Sequence, residues 1–379
     1  ARTAQLARRP AGEGAGDGMS QFEHALVLGK FYPPHLGHHH LVRTAAASSE
    51  RTTVAVLASS VESIPLADRV SWMAAEHSAD QGVVVLGDID ELHTDYADDA
   101  IWEAHVGIFR SVLSRRAILD GDPSAAVVDA VFTSEDYGQE LAKRLGAQHV
   151  LVDLDRTRHS VSGTAIRADP IGHWHDLASA TQAGLAARIV VVGAESTGTT
   201  TLSQALAEHY RAAWVPEHGR LHTEEKLLAA QAFDERAQVE DLVWTVGDFV
   251  DIVGRQGRAE DEAAGRGPIL VCDNDPWAAT VWCERYLGCA YPQVAEAAGA
   301  RRPALYLLTD HQDVPFEQDG WRDGEHLREW MTGLFELRLT ERGVPWVRLT
   351  GSRENRLEQA IKAVEEMLVG HFRYADPLG

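Results

Sequence analysis

Two segments of this 379-residue chain each join a short apolar run to a glycine-rich turn and then to a helical pattern. They are ALVLGKFYPPHLGHHHLVRTAAA (residues 25–47) and ARIVVVGAESTGTTTLSQALAEHY (residues 187–210). A short apolar run that ends at a glycine is typical of a buried parallel strand. Each segment therefore predicts the start of an alternating β/α unit, and the chain is predicted to be α/β, with two doubly wound parallel sheets in series.

The length suits two domains of roughly 150–200 residues each. We predict a disordered leader over residues 1–21, a first α/β domain over 22–178 and a second α/β domain over 187–373. The segment 178–187, rich in small residues, is the predicted linker. Apolar runs predict ten strands: Ala25–Leu28, Thr53–Leu57, Val83–Leu86, Val127–Phe132, His149–Val152, Arg188–Val192, Ala213–Val215, Ile269–Cys272, Ala304–Leu308 and Trp346–Leu349. A helix is predicted over His222–Arg255 and a solvated loop over Gly257–Pro268.

Composition narrows the class of protein. The formal net charge of −22 argues against a nucleic-acid-binding surface, which needs clustered Lys and Arg. The three cysteines form no CxxC pair, so neither a disulfide framework nor a zinc ribbon is expected, and reduced thiols suit a cytoplasmic location. No continuous apolar run is long enough for a membrane span.

The loop after the first predicted strand, GKFYPPHLGHHH (residues 29–40), contains two histidines three residues apart. Its prolines stiffen the backbone, and Gly37 lets a ligand approach closely. His38 opens a helix, whose N-terminal N–H groups favour phosphate. His35 and His38 are therefore predicted to hold a triphosphate and to stabilise charge at the reacting phosphorus. The alternatives are a surface histidine patch or a metal site in the run His38–His40, although adjacent helical histidines cannot all face one ion.

A second anion-binding pattern, SVSGTAIR (residues 160–167), lies at the end of the same unit. Ser162 and Thr164 are good N-cap residues, and a helix N-terminus cradles anions. Arg167 lies one turn into that helix, where its guanidinium could reach the β- or γ-phosphate. An ordinary capped helix explains this pattern when it stands alone, but together with the two histidines it predicts a triphosphate site.

The two patterns together resemble the nucleotidyltransferase superfamily, which transfers AMP or CMP from a nucleoside triphosphate. PLADRVSW (residues 65–72), FTSEDYG (132–138) and VSGT (161–164) through His173-Trp174 look like the NadR-type bifunctional nicotinamide-nucleotide adenylyltransferase and ribosylnicotinamide kinase family. The resemblance covers roughly residues 22–370, including the order of the domains. It implies that the first domain joins nicotinamide mononucleotide (NMN) to ATP, giving NAD and pyrophosphate.

By this resemblance Lys30 would help to hold the triphosphate, and Trp102 and Tyr137 would stack on the nicotinamide. Each aromatic is equally well explained as an ordinary half-buried side chain. The preference for nicotinamide or nicotinate is left open. The predicted catalytic residues here are His35, His38, Lys30 and Arg167; the predicted ATP contacts are Gly29, Phe31, Gly37, Ser162 and Thr164; the predicted NMN contacts are Arg69, Trp72, Trp102 and Tyr137.

The second opening, GAESTGTT (residues 193–200), has the strand-to-helix context that a P-loop requires. Its glycines permit a nest of N–H groups around phosphate. Thr199 stands where a P-loop normally has its lysine, the cation of the β- and γ-phosphates. Loss of that lysine predicts slow phosphoryl transfer unless another cation replaces it. The predicted ATP contacts are Gly193, Ser196, Thr197, Gly198, Thr199, Thr200 and Arg322.

Further parts of a kinase follow. Asp273 ends an apolar run in a Walker B-like manner and is predicted to bind Mg²⁺ with Thr200, mostly through phosphates and water. The alternative is that this DND sequence only caps a helix. By the resemblance, Glu217, Arg220 and Asp275 would lie near the riboside. The same resemblance makes DHQDVPFEQDGWR (residues 310–322) a mobile lid, whose Arg322 would close over the phosphates.

Three roles remain open for the second domain: a nicotinamide riboside kinase with a substitute cation such as Arg322, a slow ATP-binding sensor, or a structural relic. For the whole chain, the alternative to an NAD salvage enzyme is a regulatory nucleotide-binding protein. The short segment before the first strand leaves no room for the DNA-reading helix that some family members carry. A transferase acting on another phosphate ester, such as phosphopantetheine, is disfavoured by the attached P-loop unit. The expected partners are ATP, NMN, nicotinamide riboside and NAD, with no nucleic acid, and a homo-oligomer is left open.

Overall fold

The structure is a computed structural model that describes residues 20–95, 97–153, 161–299, 301–317 and 324–378. Two five-stranded sheets are present, one from each half of the chain. Every strand pairing in both sheets is parallel. The predicted α/β class and the two doubly wound sheets are confirmed.

The first sheet has the order β3-β2-β1-β4-β5. Its strands are β1 (Phe22–Gly29), β2 (Ser49–Ala58), β3 (Val83–Ile89), β4 (Ala130–Thr133) and β5 (Gln148–Leu151). The helices of this half are α1 (Leu36–Ser48), α2 (Leu66–Glu76), α3 (Asp99–Asp120), α4 (Gly138–Leu145), α5 (Gly163–Ala168) and α6 (Ser179–Leu185).

The second sheet has the order β10-β9-β6-β8-β7. Its strands are β6 (Ala187–Gly193), β7 (Ala213–Val215), β8 (Ile269–Asp273), β9 (Leu305–Thr309) and β10 (Trp346–Leu349). Its helices are α7 (Thr199–Tyr210), α8 (His218–Gln231), α9 (Val246–Ala264), α10 (Pro276–Leu287), α11 (Pro292–Ala298), α12 (Arg328–Arg342) and α13 (Arg353–His371). Among the described helices none is both long and apolar enough to cross a membrane.

Strand β1 shows why the apolar runs become central strands. Ala25 and Val27 point into the core beneath α1, while Leu26 and Leu28 point into the opposite core beneath α3. A parallel strand covered on both faces needs apolar residues at successive positions rather than at alternate ones. In each sheet the strand order reverses beside the first strand of that half. In open α/β sheets, ligands bind in the crevice at the carboxyl ends of the strands where this reversal occurs.

All ten predicted strands overlap observed strands, but two predictions in the second half are wrong. The helix predicted over His222–Arg255 is interrupted, because α8 ends at Gln231 and α9 begins at Val246. The loop predicted over Gly257–Pro268 is largely helical, since α9 continues to Ala264. The segment is rich in polar residues, but one face of the helix is buried and includes Gly257, Ala263 and Ala264. The polar residues of the other faces made the segment look like a loop.

The predicted linker is a packed element. Helix α6 lies within it, and a Cβ atom on Gly184 would come 2.2 Å from the indole ring of Trp72 on α2. Next to α6, the indole N–H of Trp174 donates to the carbonyl of Ala264, at the end of α9, over 2.9 Å. These contacts join the two halves, so the junction is not an extended tether.

Candidate functional site

A cavity of about 400 Å³ lies where β1 and β4 end, and both sequence patterns of the first half line it. The first pattern contributes the loop after β1 and the start of α1, and the second contributes the start of α5. The predicted residues in the wall are Gly29, Lys30, Phe31, His35, Gly37, His38, Trp102, Tyr137, Ser162, Thr164 and Arg167. Residues at opposite ends of the first half thus form one site.

The two histidines of the first pattern are stacked. Their ring centroids are 3.5 Å apart with an interplanar angle of 23°. His35 is the N-cap residue of α1, and its backbone N–H donates to Nδ1 of His38 over 3.3 Å. The ring of Phe31 meets that of His38 edge-on at 4.9 Å. The stack fixes both imidazoles at a helix N-terminus, where the helix dipole favours an anion.

Helix α5 is tied to the same loop. The hydroxyl of Ser162 accepts the backbone N–H of Ala165 over 3.1 Å, which is an N-cap interaction. Arg167 donates from Nη1 to the carbonyl of Tyr32 over 2.7 Å, and its guanidinium lies 4.9 Å from the centre of the Tyr32 ring. A Cβ atom on Gly163 would lie 2.9 Å from the same carbonyl, so this close approach requires glycine. The cationic side chain of α5 is therefore positioned against the histidine loop.

Two predicted NMN contacts do not reach this cavity. The side chain of Arg69 is fully buried, lies 2.7 Å from the carboxylate of Glu62 and donates to the carbonyl of Lys30 over 2.8 Å. It therefore supports the histidine loop from behind. Trp72 packs on Gly184 at the junction of the two halves. Both corrections have one cause: α2 turns these residues toward the protein interior.

The histidines after His38 differ from one another. His40 lines the cavity. His39 is 1% exposed and shares a 3.0 Å hydrogen bond with His77, which in turn lies 2.7 Å from a carboxylate oxygen of Asp80. Burial lowers the pKa of His39 to about 3, with the neighbouring His77 as the next cause. His39 therefore belongs to a neutral buried chain.

A histidine–aspartate pair that the sequence did not predict lies in the same cavity. Nδ1 of His105 on α3 lies 2.7 Å from a carboxylate oxygen of Asp90, and both residues line the wall. The signal was the position of Asp90 directly after β3, at the edge of the sheet where polar side chains gather. The pair adds one more carboxyl group to a wall that also contains Glu135 and Asp153.

The C-terminal segment also reaches the first cavity, which the sequence did not predict. Pro377 lines the wall, and the hydroxyl of Tyr32 donates to the carbonyl of Ala375 over 2.9 Å. The ammonium group of Lys30 donates to the carbonyl of Leu378 and lies 3.6 Å from a carboxylate oxygen of Glu62. Lys30, which is predicted to hold the triphosphate, is therefore hydrogen-bonded to a backbone carbonyl of the C-terminal segment.

A second cavity, of about 380 Å³, lies beyond the end of β6. Gly198 has a φ of 87°, the left-handed conformation that suits glycine before the helix α7. Thr197 points away from the opening, since its hydroxyl donates to the carbonyl of Ala194 and is hydrogen-bonded to Thr309, both over 2.7 Å. The predicted residues that line the cavity are Gly193, Ser196, Thr199, Thr200, Glu217, Arg220, Asp273 and Asp275. Arg322 lies outside the described residues.

Carboxylates concentrate beside the P-loop. The hydroxyl of Thr200 donates to Oδ2 of Asp273 over 2.5 Å, while the buried Oδ1 of Asp273 has no hydrogen-bond partner among the described residues. Burial raises the pKa of Asp273, and burial together with the Asp273 charge raises the pKa of Glu217. These oxygen atoms suit a hard divalent cation. No set of three Asp, Glu, His or Cys side chains in the described ranges could hold a metal by itself, so phosphate and water would supply further ligands.

Asp275 has a structural role. One carboxylate oxygen accepts the N–H of Ala278 and caps α10, and the other accepts the hydroxyl of Tyr306, both over 2.7 Å. Helix capping, the alternative role considered for the DND sequence, is therefore the role of Asp275. An aromatic wall of the second cavity was not predicted from the sequence, because its members come from two separate segments: Trp244, Phe249, Trp282 and Tyr286.

Comparisons with known proteins agree with this geometry. A family model described as an AAA domain matches residues 188–356. The trifunctional NAD biosynthesis/regulator protein NadR of Escherichia coli (strain K12) is 22% identical over 362 residues, which cover 90% of this chain and 83% of the relative. The protein of the same name from Salmonella typhimurium (strain LT2) is 21% identical over 359 residues, with the same two coverages.

Solved structures show the same fold. A crystal structure of NadR in complex with NR has a TM-score of 0.56 and 21% identity to this chain. Another, in complex with NAD and AMP-PNP, has a TM-score of 0.57 and 20% identity. Each comparison covers 92% of this chain and 97% of the solved chain.

The two parallel sheets, each with a cavity at the reversal of its strand order, define an α/β protein of the nucleotide-binding class. The second half has the fold of a P-loop domain. The chain is homologous in sequence to the NadR proteins of E. coli and Salmonella, and the solved NadR structures share its fold.

Proposed function

We propose that the first cavity transfers AMP from ATP to NMN, giving NAD and pyrophosphate, as a step of NAD biosynthesis. The observation that carries this proposal is that the stacked His35–His38 pair and the Ser162–Arg167 helix line one cavity. The names of the E. coli and Salmonella relatives, and the NAD bound in a structure of the same fold, support the choice of product.

In this reaction a phosphate oxygen of NMN attacks the α-phosphorus of ATP. The new O–P bond forms as the bond to the bridging oxygen of the β-phosphate breaks, and pyrophosphate leaves. His35, His38 and Arg167 would stabilise the charge that grows on the transferring and leaving phosphates, as donors already held in place. Trp102 and Tyr137 give the cavity apolar surface for the nicotinamide ring.

The test is to measure NAD formation from ATP and NMN by wild-type protein and by the His35→Ala and His38→Ala variants. Removing one preorganised donor is expected to lower kcat by roughly 10²–10³-fold. His175→Ala, an exposed histidine of the same half, is the matched control and should keep wild-type activity. Wild-type rates in both variants would show that the site is wrongly assigned.

For the second cavity we propose phosphorylation of nicotinamide riboside by ATP, which would produce the NMN used by the first. The ring centres of Trp244 and Tyr286 are 4.9 Å apart in the aromatic wall, which suits a planar base. Glu217 lines the same cavity and would hydrogen-bond the ribose hydroxyls. Mg²⁺ held by Thr200, Asp273 and phosphate oxygens would neutralise triphosphate charge.

The second candidate for this cavity is a nucleotide sensor with weak catalysis, and Thr199 at the lysine position favours it. Incubation with ATP, Mg²⁺ and nicotinamide riboside separates the two. Formation of NMN supports the kinase, whereas tight binding of AMP-PNP without NMN formation supports the sensor. A protein that neither binds AMP-PNP here nor forms NMN would contradict both.

A further inference from the structure

Two buried arginines contact the P-loop backbone. Arg328, the first residue of α12, donates from Nη2 to the carbonyl of Ser196 over 3.2 Å. Arg356, in α13, donates from Nη1 to the carbonyl of Thr197 over 3.1 Å. The two guanidinium groups therefore contact successive peptide units of the loop that lacks a lysine at Thr199.

These two cations lack direct neutralisation. Arg328 is 9% exposed and Arg356 5% exposed, and among the described residues neither has a carboxylate within ion-pair distance. Their hydrogen-bond partners are backbone carbonyls only, which for Arg356 also include Gly351 and Gln312. Burial lowers the pKa of both groups, and the charge of Arg328 contributes to the lowering at Arg356.

A buried cation needs an opposite charge or several hydrogen bonds to offset the loss of water, and these two arginines have only hydrogen bonds to neutral carbonyls, with no direct ion pair. More distant carboxylates, Glu325 for Arg328 and Asp310 and Asp313 for Arg356, attract these groups only from beyond ion-pair distance. A pair of positive charges beside a phosphate-binding loop would be stabilised by a bound polyanion. The observed surroundings therefore favour an anionic ligand at this loop.

The peptide group transmits the charge. Because the peptide unit is planar and trans, the N–H group points away from the carbonyl of the same unit. A guanidinium on the carbonyl of Ser196 or Thr197 polarises that unit, which strengthens the N–H of the next residue, Thr197 or Gly198, as a donor. These are N–H groups of the nest that surrounds phosphate in a P-loop.

We propose that Arg328 and Arg356 are positioning residues that replace the charge of the missing P-loop lysine, acting on the triphosphate through the Ser196 and Thr197 peptide groups. This inference rests on the proposed binding of ATP in the second cavity. It requires no contact between either guanidinium and the nucleotide. It also explains how Thr199 can stand at the lysine position without loss of the nucleotide site.

The experiment measures the affinity of the full chain for AMP-PNP with Mg²⁺ by calorimetry, with NAD present to fill the first cavity. Arg328→Gln and Arg356→Gln are each expected to weaken binding roughly fivefold to a hundredfold, the usual range of coupling between groups that do not touch. Arg353→Gln, an exposed arginine at the start of α13, is the matched control and should bind as wild type does. Equal affinity in all four proteins overturns the inference and leaves the proposed nucleotide site intact.

Adding a lysine separates a charge role from a purely structural one. Thr199→Lys should raise affinity much less in the wild-type background than in the Arg356→Gln background, because the wild type already has the compensating charge. In the Arg356→Gln background the same change should restore most of the lost affinity. A large gain in the wild type, or no restoration in the double variant, overturns the inference.

The wild-type comparison needs no variant that lacks an arginine, so it stays informative if the glutamine variants do not fold. Wild-type protein that binds no AMP-PNP removes the proposed second site and this inference with it. If instead the wild type binds AMP-PNP normally and Thr199→Lys greatly increases its affinity, the inference about the arginines is wrong but the second site is not.

Discussion

At the scale of single residues, the buried histidine chain behind the first cavity has defined protonation. Asp80 accepts a hydrogen bond from Nδ1–H of His77, so Nε2 of His77 is left as an acceptor. His39 must then donate from its own Nδ1–H. Both rings are neutral in the folded protein, and burial lowers the pKa of each.

The hydrogen-bonded His39–His77–Asp80 chain predicts that the stability of the fold falls at acidic pH. The pKa of His39 is about 3 in the folded protein and about 6.5 in an unfolded chain, so the unfolded state binds more protons between these pH values. The free energy of unfolding should therefore fall as pH decreases below 6.5, by about 2 kcal/mol from this group between pH 7.5 and pH 5. Denaturant unfolding at both pH values measures the difference.

His39→Asn keeps a hydrogen-bond donor for His77 but removes the titrating group, so its stability should vary less between pH 7.5 and pH 5. His93→Asn, at an exposed histidine, is the control and should retain the wild-type difference. An unchanged pH dependence in His39→Asn would rule out His39 as the source.

At the scale of elements, the short helix α5 is useful only because it is tied to the loop after β1. Arg167 makes this tie through the carbonyl and the ring of Tyr32. A planar guanidinium can donate to a carbonyl and keep other N–H groups for a phosphate, whereas the single ammonium of lysine cannot hold both in this geometry. The element depends on the type of cation as well as its charge.

Arg167→Lys is therefore expected to raise the KM for ATP in NAD synthesis roughly tenfold, with little change in thermal stability. Steady-state kinetics at saturating NMN measures this. Arg110→Lys, on the exposed surface of α3, is the matched control. If Arg167→Lys has the KM of the wild type, a positive charge bonded to the Tyr32 carbonyl is sufficient, and the planar set of guanidinium N–H groups is not required.

At the scale of the whole molecule, the C-terminal segment connects the two halves. It follows α13 of the second half and reaches Tyr32, Lys30 and Ser63 of the first. The carbonyl of Leu378 holds the Lys30 ammonium at the C-terminal segment, so a triphosphate that draws this ammonium away must break that hydrogen bond. The segment and the nucleotide are therefore expected to compete for this cation.

Removal of residues 374–379 should release Lys30 and lower the KM for ATP in NAD synthesis severalfold, since one hydrogen bond to a charged group is no longer displaced. Kinetics of the truncated and full chains measure the effect. Tyr374→Ala, which removes the ring that meets Tyr32 at 6.4 Å, should shift the KM in the same direction by less. A higher KM after truncation would mean that the segment helps to bind ATP.

The sequence alone determined the α/β class, all ten strands and the two loops that form the main cavities. These features follow from local causes: apolar runs, glycine turns and capping residues act over a few positions of the chain. Helix bounds were less well determined, because the buried stripe of α9 is masked by charged neighbours until its packing partners are known.

Only the tertiary structure decided which distant residues meet. It turned Arg69 and Trp72 inward and brought the C-terminal segment to Lys30. It also placed Arg328 and Arg356 on the P-loop. Such contacts depend on how helices pack on the sheets, and nothing in the local pattern of an arginine or a tryptophan states which neighbour it will have. Most residues that line the two cavities were therefore predictable from the sequence, whereas the residues that support those walls from behind were not.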